Sequence, residues 1–81
     1  MKKYYTIIIP VFNESSKINK LIAGLKEYND QGHEILIIDD GSIDHTYSNL
    51  LKYDFIKLLR SNQNQGKGTA ILKGLKSAKN E

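Results

Sequence analysis

Three clusters in this 81-residue chain have the residue types and spacing to do chemistry. Asp39 and Asp40 stand side by side after the apolar run Ile35 to Ile38, and Gly41-Ser42 and a further acid, Asp44, follow. Carboxylates so placed can hold a divalent metal, accept hydrogen bonds from ribose or base N–H groups, or act as a base, and the stretch alone does not choose among them. Gly66-Lys67-Gly68 precedes a helical pattern. It is either a glycine turn or a row of backbone N–H groups that faces a phosphate together with the Lys67 ammonium. Pro10-Val11-Phe12-Asn13-Glu14 closes another apolar run. Asn13 and Glu14 there either cap the next helix or share a ligand with the other two clusters.

Familiar phosphate and acidic-strand motifs do not match. A Walker-type loop needs a glycine five positions before the Gly-Lys pair and Ser or Thr after it, where this chain has Ser61 and Gly68. The dinucleotide fingerprint needs a third glycine at Ile71, and it belongs after the first strand. A phosphorylation receiver carries its acidic pair on the first strand and an acceptor aspartate on the third. Here the pair follows the second apolar run and Asp54 precedes the third.

These clusters need elements to hold them. Tyr4 to Phe12 reads as a strand that stops pairing at Pro10, because proline has no N–H to donate. Ser15 or Ser16 then caps a helix whose apolar face is Ile18, Leu21, Ile22, Leu25 and Tyr28, closed by Asn29 to Gly32. Glu34 to Asp39 is apolar on both faces, the pattern of a parallel strand covered on both sides. Ser42 or Asp44 caps a second helix with the stripe Ile43, Tyr47, Leu50 and Leu51, and Phe55 to Leu59 is a third strand. From Thr69 a further helix turns Ala70, Ile71, Leu75 and Ala78 inward. The order is βαβαβα, a three-layer Rossmann-like α/β fold with a parallel sheet spanning 1–81 as one partial domain. In such a sheet the loops at the strand carboxyl ends converge on one edge, where ligands bind.

Composition narrows the function classes. Twelve Lys+Arg against 9 Asp+Glu give a net charge of +3, spread along the chain without the basic stripe of a nucleic-acid surface. With no cysteine there is no disulfide framework, thiolate metal site or cysteine nucleophile. No apolar run approaches the roughly 20 residues that span a bilayer, and no signal peptide is read, so a cytoplasmic location is expected. His33 and His45 read as ordinary surface or turn histidines, and the five tyrosines as core edges.

Taken together, Tyr5-Thr6-Ile7-Ile8-Ile9-Pro10-Val11-Phe12-Asn13-Glu14, Ile37-Ile38-Asp39-Asp40-Gly41-Ser42-Ile43-Asp44-His45-Thr46, and Asn64-Gln65-Gly66-Lys67-Gly68-Thr69-Ala70 with Gly74 resemble the amino-terminal half of family 2 glycosyltransferases. The dolichyl- or polyprenyl-phosphate sugar transferase branch is the nearest in flavour. The resemblance implies the amino-terminal half of a GT-A fold and sugar transfer from a UDP- or GDP-sugar to an acceptor such as a lipid phosphate or saccharide. By position it implies that Pro10, Val11, Phe12 and Glu14 line the base and ribose pocket, and that Asp40 accepts the imide N–H of the base. Asp39 supports the base contact or the ribose, and Gly66 and Lys67 lie beside the base or the phosphates.

The same resemblance implies Mg²⁺ or Mn²⁺ in a full-length enzyme. Its Asp-x-Asp motif and the carboxylate that deprotonates the acceptor would both fall beyond Glu81. The expectation is therefore a truncated donor-binding fragment without catalytic or metal-ligating residues, inactive alone, whose parent works in the cytoplasm, at the cytoplasmic face of a membrane. An uncovered sheet edge offers a route to self-association. The competing reading is a non-catalytic nucleotide-binding or regulatory module of the same fold.

Overall fold

A computed structural model describes residues 3–61, 71–72 and 74–76. The chain forms β1 (Thr6–Val11), a 3-10 turn at Ser15–Lys17, α1 (Ile18–Asp30), β2 (Glu34–Asp40), α2 (Thr46–Leu50) and β3 (Lys57–Ser61). Residues 71–72 and 74–76 are helical. All strand pairs are parallel and the sheet order is β1-β2-β3, so the expected Rossmann-like α/β architecture is present.

β2 lies at the centre because its sequence suits nowhere else. Ile35, Leu36, Ile37 and Ile38 are at most 1 % exposed, and burial on both faces requires cover on both faces. Strand alternation sends Ile35 and Ile37 to the side of α1 and α2, where they pack with Val11, Ile18, Ile22, Leu25 and Leu50. Leu36 and Ile38 face the opposite layer. There Gly74 comes so close that a Cβ on it would sit 2.6 Å from Ile8 Cγ2 and 2.8 Å from Ile38 Cδ1. Ile8 is β-branched and its Cγ2 swings little, so a side chain at position 74 would push the helix off the sheet.

That close approach corrects the inward face expected after Thr69. Ile71, Leu72 and Leu75 are 41, 60 and 61 % exposed, and Gly74 is the residue turned to the sheet. Ala70 and Ala78 lie outside the described residues.

Other boundaries shift for local reasons. β1 continues through Pro10, which pairs with Ile38, to Val11, which pairs with Asp39. A strand with one neighbour among the described strands can turn its donorless residue to the open side. Ser15 and Ser16 do not cap α1; they lie in the 3-10 turn, closed by Lys17 N–H donating to the Glu14 carbonyl at 2.9 Å. α2 is short, with Ile43 91 % and Leu51 60 % exposed and Thr46 and Leu50 buried, so the longer stripe does not form. β3 starts at Lys57, because Phe55 and Ile56 are used against the core before the strand begins.

Candidate functional site

At the carboxyl edge of the sheet, Pro10, Val11, Phe12, Glu14 and Asp40 line one cleft of about 160 Å³. β1 delivers the first two, the loop after it supplies Phe12 and Glu14, and the last residue of β2 brings Asp40. Gly66 and Lys67, expected at the same site, lie outside the described residues.

The adjacent carboxylates part company. Asp39 pairs in register with Val11 and Arg60, and Asp40 with Ser61, so the pleat sends the two side chains to opposite faces. Asp40, 3 % exposed, borders the cleft. Asp39 is fully buried on the α2 side, where its Oδ1 accepts the Ser42 N–H at 3.1 Å. Its Oδ2 has no hydrogen-bond partner among the described residues and lies 3.5 Å from Arg60 Nε. Gly41, at φ +80°, gives the chain the left-handed step that lets Ser42 turn back onto Asp39.

The loops after β1 and β2 are stitched together. Ser42 Oγ accepts the Asn13 N–H at 2.9 Å, and Asn13 Oδ1 accepts the Ile43 N–H at 2.9 Å. Asn13 itself holds φ +50°, a conformation that asparagine tolerates better than most residues. The Thr46 hydroxyl accepts the Glu14 N–H at 2.8 Å and donates to Asp44 Oδ1 at 2.5 Å. Asp44 also accepts the backbone N–H groups of Thr46 and Ser15, at 2.9 and 3.3 Å. Asn13 and Glu14 are thus fixed by the neighbouring loop, and they do not cap α1.

These donors favour the charged carboxylate, the Thr46 hydroxyl most of all. They hold Asp44 at about 2, below its usual 3.8, with the opposing effect of partial desolvation smaller. A carboxyl lowered in the folded state stabilises it fully above the ordinary value and loses that effect as pH falls towards the lowered one. The Ser15 and Thr46 amides are therefore expected to lose hydrogen-exchange protection between about pH 4 and 2, and Asp44→Asn to abolish that step. An unchanged profile in the variant would assign the acid sensitivity elsewhere.

Sequence reasoning missed Arg60. It is the sole arginine among 12 Lys+Arg, and its planar fork and stacking face are properties lysine lacks. Its guanidinium lies over the Tyr47 ring at 4.3 Å from the centroid, and Nη2 donates to the Ser42 carbonyl at 3.2 Å. His33 also proves more engaged than expected: its Nδ1 accepts the Tyr5 N–H at 3.1 Å at the far end of the sheet. Among the described residues no group of three or more His, Cys, Asp or Glu comes together as a metal site, and Asp39 and Asp40 point apart. No helix among them is long and apolar enough to cross a membrane.

Comparison with known proteins identifies the family of the chain. The family model "Glycosyl transferase family 2" matches residues 6–81. A dolichyl-phosphate beta-glucosyltransferase of Saccharomyces cerevisiae is 33 % identical over an 84-residue alignment that covers 88 % of this chain and 25 % of that protein. Its Dictyostelium discoideum namesake is 33 % identical, covering 89 % and 26 %. A "UDP-N-acetylglucosamine--dolichyl-phosphate N-acetylglucosaminyltransferase" of Methanococcus voltae is 30 % identical, covering 94 % and 36 %. The chain thus spans about a quarter to a third of the length of these relatives. With the family pattern running from the first residue of β1 to Glu81, over a parallel sheet in which the ends of β1 and β2 border one cleft, this chain belongs to glycosyl transferase family 2.

Proposed function

We propose that the cleft is the nucleoside end of a donor site in a nucleotide-sugar glycosyltransferase that uses a polyprenyl phosphate as acceptor. The observation that carries this reading is the grouping of Asp40 with Pro10, Val11, Phe12 and Glu14 in one cleft. A carboxylate accepts, and only accepts, so it complements the imide N–H of uracil or the N–H edge of guanine. The apolar wall and the Phe12 ring give the base a surface to lie on. At about 160 Å³ the cleft is smaller than the roughly 300–1,000 Å³ of pockets that take a whole ligand, which suits a base and leaves the diphosphate outside.

Asp39 serves this site indirectly, by holding the turn that holds Asn13. Gly66 and Lys67 are the residues proposed to meet the base or the phosphates. The acceptor follows the dolichyl phosphate in the relatives' names, and the Methanococcus voltae name favours UDP over GDP as carrier. Work on a lipid phosphate puts the whole enzyme at a membrane surface, and the cytoplasmic face is the proposed one. The described residues do not fit the divalent metal that the family implies, and nothing in this site is routed through one.

The test is a titration of the chain with UDP, GDP and CDP, followed by amide chemical shifts. UDP or GDP is expected to move Phe12, Asp40 and Lys67. CDP, whose cytosine offers an acceptor in place of the imide N–H, is expected to leave Phe12 and Asp40 in place. Silence with both UDP and GDP, or an equal response to CDP, would remove the reading.

A further inference from the structure

We propose that Arg60 is a positioning residue for the cleft, acting through Ser42 and Asn13 on the Phe12–Glu14 wall. Its side chain reaches three separate elements at once. The guanidinium stacks on Tyr47 of α2 at 4.3 Å, donates to the Ser42 carbonyl at 3.2 Å, and sets Nε 3.5 Å from Asp39 Oδ2 at the end of β2. Asp39 Oδ1 holds the other side of the same residue, the Ser42 N–H, at 3.1 Å. Ser42 is thereby gripped at both its backbone groups. Its free hydroxyl oxygen is what receives the Asn13 N–H, and Asn13 returns the contact to Ile43.

The two residues beside Asn13 in the chain, Phe12 and Glu14, are cleft residues. A rotation of Ser42 therefore moves the wall that faces Asp40. Lysine cannot do the same work, because a single compact ammonium cannot lie over Tyr47 while donating to the Ser42 carbonyl and keeping a second nitrogen beside Asp39.

The alternative role for the same residue is a counter-charge to the fully buried Asp39, whose Oδ2 has no hydrogen bond among the described residues. Two variants separate the roles. Arg60→Met keeps length and removes the charge, leaving Asp39 uncompensated. Arg60→Met with Asp39→Asn removes both charges and keeps an acceptor for the Ser42 N–H.

Native-state hydrogen exchange and thermal melting are read on both. In the double variant the melting temperature is expected to return close to that of the unaltered chain. The Asn13 and Ile43 amides should nonetheless stay at least about tenfold less protected, a loss that the core amide of Ile37 does not share. If protection at Asn13 and Ile43 recovers together with melting, Arg60 is only a counter-charge and the proposal is overturned. Should the single variant fail to fold, the double variant decides alone.

The last step rests on the nucleotide reading: in the double variant the dissociation constant for UDP or GDP is expected to rise on the order of tenfold. Failure of the unaltered chain to bind either nucleotide overturns that reading, while the exchange data still decide what Arg60 does.

Discussion

An Ile37→Ala chain is expected to lose about 2–5 kcal/mol of stability, the range for truncating a fully buried isoleucine. Ile37 is 0 % exposed in the central strand, paired with Ile9 on one side and Leu58 on the other. It packs in the cluster with Val11, Ile18, Ile22, Leu25 and Leu50. Hydrogen-bonded strands on both flanks keep the sheet from closing over the lost atoms, so most of the cavity persists. At roughly 0.05–0.15 kcal/mol per residue the whole chain has about 4–12 kcal/mol to lose, and one substitution removes a large share. Melting followed by circular dichroism should fall by at least about 8 °C, since each kcal/mol moves a domain of this size by about 4–8 °C. A change equivalent to less than about 1 kcal/mol would mean that this face of the sheet is looser than its burial indicates.

Asp40→Asn is expected to act on ligand choice. The substitution keeps the shape of the side chain and exchanges an acceptor-only group for one with an N–H₂ donor. Against uracil that donor meets the imide N–H head on, and the charge-assisted bond is lost as well. A bond of that kind is worth about 1.5–3 kcal/mol, so the dissociation constant for UDP should rise roughly tenfold to a hundredfold. Cytosine presents an acceptor and an amino group at the same edge, which the new amide complements. CDP should therefore gain on UDP in the variant, a reversal that general damage to the pocket cannot produce. Parallel titrations of UDP and CDP read it, and an equal loss for both, or no loss for UDP, would remove Asp40 from base recognition.

What could be read from the sequence was whatever follows from local pattern. The apolar run Ile35 to Ile38 placed β2 at the centre, and the spacing Ile18, Ile22, Leu25 gave the buried face of α1. What could not be read depended on neighbours far along the chain. Pro10 reads as a strand breaker, yet β1 stays paired with β2 through it to Val11. Ile43 fits a helical stripe, yet it sits in a turn held by Asn13 and bordered by Asp44, whose partner Ser15 is 29 positions away. Gly74 carries no hydrophobic signal, although it lies so close to the sheet that a Cβ on it would meet Ile8 and Ile38. Within the site, the residue types around the cleft were legible. The division of labour between Asp39 and Asp40 was not, because it comes from the pleat and from Arg60, which is aligned with Asp39 only once β3 is in place.

The uniform apolar stretch of β2 bears on how the chain folds. Most half-buried strands are protected against pairing one residue out of step, because the slip would carry greasy side chains into water. From Ile35 to Ile38 every residue is a branched aliphatic, so a slipped β2 is nearly as well buried as the native one and gives a compact competitor with little to betray it. Discrimination falls to the polar groups at the strand's two ends. Thr6 Oγ1 donates to Glu34 Oε1 at 2.6 Å at one end, and Asp39 meets Ser42 and Arg60 at the other. A slip by one residue breaks both and turns Asp39 to the wrong side of the sheet. The polar groups at the two strand ends thus act as the chain's safeguard against a long-lived misfolded trap, and substitutions at them are expected to slow refolding.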